Sequence, residues 1–216
     1  MLLVMGNKNY SSWSLRPWLL LEHFGLAFNE VIIPLYQADS AEQIRRYSPA
    51  AKVPVLIDKD RHIWDSLAIC EYVSEHYLSG RAWPADITAR AHARSVSAEM
   101  HSGFATLRQL MPMNCRATGR HIVLSAALEQ DIQRITAIWT DCRERYASQG
   151  PWLFGEFSIA DCMFAPVVWR FATYSVSVTP ICQTYMTTMQ NSQCMQKWLS
   201  DAMQEKWLIA ESKVGN

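Results

Sequence analysis

Short apolar runs separated by polar turns occupy the first third of the chain. Residues 2–5 predict a strand, residues 14–17 predict the opening of a helix that Gly25 ends, and residues 29–33 predict a second strand. A strand, a helix and a strand in this order predict a βαβ unit with parallel strands and a right-handed connection.

The next apolar runs predict an antiparallel hairpin. Residues 53–57 and 61–64 flank three charged residues and follow a short helical stretch at residues 41–47. Asp65-Ser66 then forms a polar cap in front of a helix that ends near Gly80. We therefore expect an α/β domain that contains a four-stranded mixed sheet.

Strand patterns nearly vanish beyond residue 88, and apolar residues take helical spacing. Met100, Phe104, Leu107 and Met111 recur at i, i+4, i+7 and i+11, which predicts the buried stripe of one long helix. Three further helices are predicted, at residues 125–146, 158–173 and 193–203. Four breaks separate them: Pro112, Gly119, Gly150-Pro151 and Pro180.

The change of pattern divides the chain. It predicts an α/β domain at residues 1–78, a linker at residues 79–87 and an all-helical domain at residues 88–216. A chain of 216 residues that is half hydrophobic can bury one or two cores of this kind.

Charge and apolar content narrow the kinds of partner. Twenty basic residues balance twenty acidic ones and no basic run carries interleaved aromatics, so we expect no nucleic-acid partner. The N-terminus shows no charged leader and no 18-residue apolar run occurs, so we expect neither a signal peptide nor a membrane span, and a cytoplasmic location.

Cysteine and histidine spacing favours no metal site. The six cysteines contain no C-x-x-C pair, and the six histidines form no motif with zinc spacing. We expect buried structural thiols and no bound metal.

The segment between the first strand and the first helix carries hydroxyl groups where a helix begins. It contains Tyr10, Ser11, Ser12 and Trp13, and helix N-termini bind anions through free backbone N–H groups. A thiolate is one such anion, and lowering a free thiol's pKa by about two units needs roughly 2.7 kcal/mol of selective stabilisation. Ordinary helix capping by the serines is the alternative.

Two later segments could complete a site for a ligand with carboxylates. Val53-Pro54 opens a strand, where proline cannot donate to the sheet. Asp65-Ser66 begins another helix, and Lys52 could pair with a further carboxylate. Taken singly, an edge proline, an ordinary cap and a solvated lysine explain these residues equally well.

In combination, a serine-led helix, a Val-Pro strand and an acid-Ser helix resemble the glutathione transferase family. The resemblance covers essentially the whole chain and implies a thioredoxin-like N-terminal domain followed by an all-helical domain. It also implies a cis Val53-Pro54 bond and glutathione as co-substrate. The implied glutathione-binding residues are Lys52, Val53, Pro54, Asp65 and Ser66.

The first loop is similar to that of zeta-class members, which read Ser-Ser-Cys-Ser-x-Arg. This similarity implies that Ser11, or else Ser12, assists the thiolate. Trp13 stands where the zeta pattern has cysteine, which disfavours mixed-disulfide chemistry. Zeta-class isomerases also carry an arginine late in a later helix, where counting places Thr173, with Arg170 almost a turn earlier.

The helical domain offers candidates for a second pocket and for a folding motif. His101, Phe104 and Arg108 are predicted to share one face of the long helix and to border an electrophile pocket beside Tyr10 and Trp13. The family's capping box is matched by two residues, Ser158 and Asp161.

The resemblance implies a glutathione transferase that takes part in detoxification and forms a homodimer. In this mechanism glutathione loses its thiol proton and the sulfur attacks an electrophilic carbon. Three alternatives stay open: glutathione-dependent cis–trans isomerisation of the maleylacetoacetate type, a peroxidase, and a non-catalytic binding or interaction protein.

Overall fold

A four-stranded sheet forms the centre of the N-terminal domain in the computed structural model, which describes residues 1–215. Asn216, the last residue of the predicted helical domain, lies outside the described residues. The strands pair in the order β2-β1-β3-β4. They are β1 (Leu2–Met5), β2 (Asn29–Ile32), β3 (Val55–Asp58) and β4 (Arg61–Ile63).

Strand directions confirm the predicted mixed sheet. β1 runs parallel to β2, with Val4 opposite Val31, because a helix crosses over between them. β1 runs antiparallel to β3, and β3 turns back into β4 as a hairpin. The sheet and its helices give the N-terminal domain of the predicted fold class.

Three helices flank the sheet, and the first begins earlier than predicted. They are α1 (Ser12–His23), α2 (Ser40–Arg45) and α3 (Ser66–Leu78). The expectation that residues 14–17 open α1 is wrong, because Ser11 is already its N-cap and Pro17 lies in the second turn. The loop sets this start, since the Ser11 N–H donates to the carbonyl oxygen of Asn7 at 2.8 Å.

The second domain is helical, as predicted. Its six α-helices within the described residues are α4 (Ile87–Ser102), α5 (Ala105–Leu110), α6 (Ala126–Tyr146), α7 (Ile159–Thr173), α8 (Pro180–Asn191) and α9 (Gln193–Gln204). No helix in residues 1–215 combines the length and apolar character that a membrane crossing requires.

The long helix predicted through Met111 is wrong, because the chain breaks after Ser102. Gly103 ends α4 in an extended conformation, and Phe104 takes a φ of 59° before α5 starts. The Arg108 guanidinium donates to the carbonyl oxygens of Met100, His101 and Gly103, which satisfies the end of α4. The apolar stripe is nevertheless buried, so the pattern predicted burial correctly and continuity wrongly.

Helix α8 is absent from the sequence prediction, which treats Pro180 as a break. Pro180 occupies the first turn of this helix, where a missing N–H leaves no hydrogen bond unmade. Proline at such a position begins a helix as readily as it ends one.

A capping box starts α7. The Asp161 carboxylate accepts from the Ser158 backbone N–H at 2.9 Å and from the Leu153 N–H at 3.1 Å. Ser158 and Asp161 therefore fix the path of the chain into α7, which is buried along most of its length. Because α1 packs against both α3 and α7, the first loop lies where the two domains meet.

Candidate functional site

A cavity of about 470 Å³ opens beside the start of α1. Its volume is in the usual range for small-molecule sites. The five residues predicted to bind glutathione, from Lys52 to Ser66, all line it. The other lining residues are Trp13, Ala50 and Trp64.

Backbone geometry shapes two walls of the cavity. The Val53-Pro54 peptide bond is cis, as the family resemblance implied, and the Trp64-Asp65 bond is cis as well. Pro54 is buried and Val53 half-buried, whereas Lys52 stands exposed at the rim. Lys52 can therefore meet a carboxylate that extends towards solvent.

Asp65 and Ser66 form the N-terminus of α3. The Asp65 Oδ1 atom accepts from the Leu67 N–H at 2.8 Å, so the predicted cap is present. Asp65 Oδ2 also lies 3.1 Å from the Nε2 atom of His101, which ties α4 to this edge of the cavity. Ser66 is only 1% exposed and holds its hydroxyl at a helix end that attracts anions.

Ser11 and Ser12 have different environments although they are adjacent. Ser11 is 4% exposed, and its hydroxyl donates to Ser14 Oγ at 2.7 Å. Ser14 Oγ also accepts from the Gly6 N–H at 3.1 Å. Ser12 is half-buried, and its hydroxyl oxygen accepts from Arg170 Nη2 at 3.3 Å.

Trp13 connects the cavity to two arginines. Its ring centroid lies 4.3 Å from the Arg16 guanidinium carbon and 5.1 Å from that of Arg108. The His101 ring meets Trp13 edge-on, with ring centroids 5.3 Å apart. The structure thus brings together three of the residues predicted for the electrophile pocket, although His101 and Arg108 belong to different helices.

Positive charge accumulates at the junction of the first loop with helices α1, α5 and α7, which carry three arginines. Arg16, Arg108 and Arg170 form no ion pair with a carboxylate in residues 1–215. Burial, followed by repulsion from the other two arginines, lowers the pKa of Arg16 to about 9. Burial and repulsion from Arg108 lower the pKa of Arg170 to about 10. All three stay charged at neutral pH, so the junction favours an anion.

The same charges act on His101. Burial is the main cause that lowers the pKa of His101, and Arg16 and Arg108 lower it further, while Asp65 opposes them. His101 is therefore neutral at neutral pH and adds no further positive charge.

Tyr10 lies on the other side of the first loop, towards the C-terminal segment. Its hydroxyl accepts from Arg116 Nη2 at 3.2 Å. Arg116 also donates to the carbonyl oxygens of Glu205 at 2.5 Å and Trp207 at 3.0 Å. The Glu205 carboxylate accepts from the backbone N–H of Asn9 at 3.0 Å, so the chain's end holds the first loop in place.

Phe104 is separate from these groups. Its side chain is buried in the main hydrophobic core, and its backbone forms the break between α4 and α5. Within residues 1–215 no cluster of three or more histidine, cysteine or acidic side chains is arranged to hold a metal ion.

Sequence reasoning missed three arginines that shape the site: Arg16, Arg116 and Arg170. In the sequence Arg16 is only the arginine that ends the Ser-Ser-x-Ser-x-Arg motif, and Arg170 lies almost a turn before the position that counting gives. Thr173, at the position reached by counting, is buried and donates to the carbonyl oxygen of Asn114. A lone arginine inside the apolar run of α7 was the available signal, because an unpaired buried charge is rare outside functional sites.

The fold and the cavity define a two-domain protein with a thioredoxin-like domain, a helical domain and an anion-favouring site between them. The glutathione S-transferase N-terminal domain model matches residues 10–76, and the glutathione S-transferase C-terminal domain model matches residues 125–187. The two matches together span more than half of the chain. The chain belongs to the glutathione transferase family.

The chain shows sequence similarity to a probable isomerase and to a stringent starvation protein A homolog. The chain is 26% identical over 177 residues to a probable maleylacetoacetate isomerase of Caenorhabditis elegans, a match that covers 80% of this chain and 79% of that one. It is 23% identical over 139 residues to a stringent starvation protein A homolog of Haemophilus ducreyi, covering 64% and 61%.

Solved structures with the same fold include the following two. A glutathione transferase homolog from Burkholderia with bound glutathione superposes with a TM-score of 0.71 at 22% identity, over 94% of this chain and 98% of that one. A bacterial zeta-class maleyl pyruvate isomerase superposes with a TM-score of 0.74 at 18% identity, over 96% and 100%.

Proposed function

We propose that the protein is a glutathione transferase that binds glutathione beside α1, ionises its thiol and directs the sulfur at an electrophilic carbon. One cavity carries this proposal, since the five predicted glutathione-binding residues line it together. Ser66, at the N-terminus of α3, would receive the γ-glutamyl carboxylate. Val53 would pair its backbone with the cysteinyl moiety, and Lys52 would meet the remaining carboxylate.

The chemistry needs a stabilised thiolate. The thiol proton leaves to solvent, and a hydroxyl at the start of α1 donates to the sulfur. The sulfur lone pair then forms a bond to the electrophilic carbon, while a leaving group departs with its electron pair or a conjugated double bond accepts the electrons. The excess positive charge of Arg16, Arg108 and Arg170 supports the anionic form of the sulfur.

Calorimetry with glutathione and with S-methylglutathione tests the proposal. Both ligands should bind, because the cavity holds the peptide portion that they share. Only glutathione should show thiolate absorbance that titrates below the free thiol's pKa. If neither ligand binds, the transferase proposal fails. A non-catalytic interaction protein, which the fold also allows, then becomes the leading alternative.

A second candidate function is glutathione-dependent isomerisation of an unsaturated carboxylic acid. Arg170 favours it, because its guanidinium reaches the first loop and has no carboxylate partner in the described chain. Its positive charge would attract the carboxylate of an acidic substrate. In this reaction the thiolate adds to a double bond, the adduct rotates and the thiolate leaves, so glutathione is not consumed. Incubation with maleylacetone distinguishes the two functions, because isomerisation gives a product of unchanged mass and transfer gives a glutathione conjugate.

The proposal also includes four further properties: a homodimer, membership of the zeta class, a role in detoxification and a cytoplasmic location. They rest on the family resemblance. Sedimentation of the purified chain tests the first of these.

A further inference from the structure

We propose that Ser12, oriented by Arg170, is the hydroxyl that contacts the glutathione thiolate, and that Ser11 has a structural role. This inference rests on the proposed function, because it concerns the same bound thiol. It assigns the contact to the second serine of the motif, whereas the zeta-class resemblance favoured the first.

The Ser11 hydroxyl is already used within the protein. It donates its single proton to Ser14 Oγ at 2.7 Å, and Ser14 Oγ receives the Gly6 N–H as well. Both serines are buried. These bonds join the end of β1 to the start of α1 and leave Ser11 with no proton for a ligand.

The Ser12 hydroxyl has the opposite arrangement. Its oxygen accepts from Arg170 Nη2 at 3.3 Å, and among the described residues its own proton has no acceptor. Ser12 is half-buried and directly precedes Trp13, which lines the cavity. A hydroxyl that accepts from a guanidinium is polarised and becomes a better donor to an anion.

Arg170 is held so that one nitrogen faces Ser12. Its Nε atom donates to the carbonyl oxygen of Met111 at 2.8 Å, and its Nη1 atom donates to that of Pro166 at 3.3 Å. Two backbone carbonyls therefore fix the guanidinium plane, and Nη2 is left for the first loop. Arg170 acts through Ser12 and is a positioning residue.

Other charged and titratable groups also act on a bound thiol. Arg16 and Arg108 raise the local positive potential, and Asp65 opposes them. Asp65 pairs with the neutral His101. Other titratable groups nearby are Lys52 at the cavity rim, Tyr174, which acts on Arg170, and the buried thiols of Cys70 and Cys115, whose pKa values burial raises. These groups lie around every variant compared below, so differences between the serine variants report the hydroxyl contact.

The experiment measures the pKa of bound glutathione by thiolate absorbance in the wild type, Ser12→Ala, Ser12→Thr and Ser11→Ala. We expect Ser12→Ala to raise the thiol pKa by about one to two units, as loss of a hydrogen bond to a charged group predicts. Ser12→Thr keeps the hydroxyl and should restore most of the shift. Ser11→Ala should lower the melting temperature and leave the thiol pKa within about 0.3 units of the wild type, because its bonds are internal.

A shift in Ser11→Ala that equals or exceeds the one in Ser12→Ala would overturn the assignment. If Ser11→Ala does not fold, the Ser12 pair decides alone, and an unchanged pKa in Ser12→Ala overturns it. A wild type that fails to bind glutathione removes the proposed function together with this inference. A wild type with a depressed thiol pKa that ignores Ser12→Ala removes this inference only.

The role of Arg170 is tested by Arg170→Lys in the wild type and in Ser12→Ala. Lysine keeps the charge but lacks the planar group that bonds two carbonyls and Ser12 together. We expect Arg170→Lys to raise the thiol pKa in the wild type and to add no further shift in Ser12→Ala. Equal shifts in the two backgrounds would show that Arg170 does not act through Ser12.

Discussion

Replacing Ser66 with alanine should weaken glutathione binding without unfolding the protein. Ser66 is buried at the start of α3 and lines the cavity, and its hydroxyl oxygen lies 3.5 Å from Arg16 Nη1. In the proposed site this hydroxyl would donate to the γ-glutamyl carboxylate, with the positive charge of Arg16 behind it. The N-cap of α3 is Asp65, so the substitution leaves the helix cap intact.

The expected size follows from the type of bond that is lost. A hydrogen bond to a charged group contributes about 1.5–3 kcal/mol, so the dissociation constant for glutathione should rise roughly 10-fold to 150-fold. Calorimetry at fixed pH measures it directly. The substitution leaves the other proposed contacts to glutathione in place, so binding should weaken and still be measurable.

Ser74→Ala is the matched control. Ser74 is also buried on α3, two turns after Ser66, and its hydroxyl has no hydrogen-bond partner among the described residues. We expect this variant to bind glutathione within about twofold of the wild type, because it removes a hydroxyl of the same helix away from the cavity. A Ser66→Ala variant that binds as tightly as Ser74→Ala would refute the assignment of the carboxylate site.

Two further predictions concern stability. Arg108→Lys should lower the free energy of unfolding, measured in urea, by about 2 kcal/mol, because lysine cannot bond the three carbonyl oxygens that end α4. Arg46→Lys, at an exposed position, is the control. If the two variants have equal free energies of unfolding, Arg108 does not cap α4. Burial raises the pKa of Asp161 to about 6 in the fold, so the folded state holds an extra proton between about pH 4 and 6 and stability falls as pH rises through that range. Asp161→Asn removes this titration. The free energy of unfolding of the variant, measured in urea, should therefore fall furthest below that of the wild type near pH 4, and the difference should shrink towards pH 7. A difference that is constant with pH would contradict the raised pKa.

Local patterns in the sequence predicted the sheet and most helices. The βαβ unit and the hairpin follow from apolar runs and turn residues that are close together in the chain. The break at Gly103 was missed because the apolar stripe continues across it, and the group that ends α4 comes from Arg108 on the next helix. Apolar spacing reports burial, and it does not report whether the backbone stays helical between buried positions.

The cavity residues were predictable for a different reason. Lys52, Val53, Pro54, Asp65 and Ser66 lie within 15 positions of each other and follow a family pattern, so the sequence itself brings them together.

Arg170 could not be placed by such a pattern. It is 158 positions from Ser12, and only the packing of α7 against α1 brings the two side chains into contact. The link between Glu205 and Asn9 likewise joins opposite ends of the chain. Such contacts depend on tertiary geometry, which spacing along the chain does not contain.

The most direct test of the central claim is the pKa of the glutathione thiol when it is bound to the wild-type protein. The account predicts that glutathione binds and that its thiol titrates at least one unit below the free thiol's pKa of about 8.5, because a hydroxyl, a helix N-terminus and unpaired arginines favour the thiolate. Bound glutathione that titrates at the free value, or no binding at all, would contradict it.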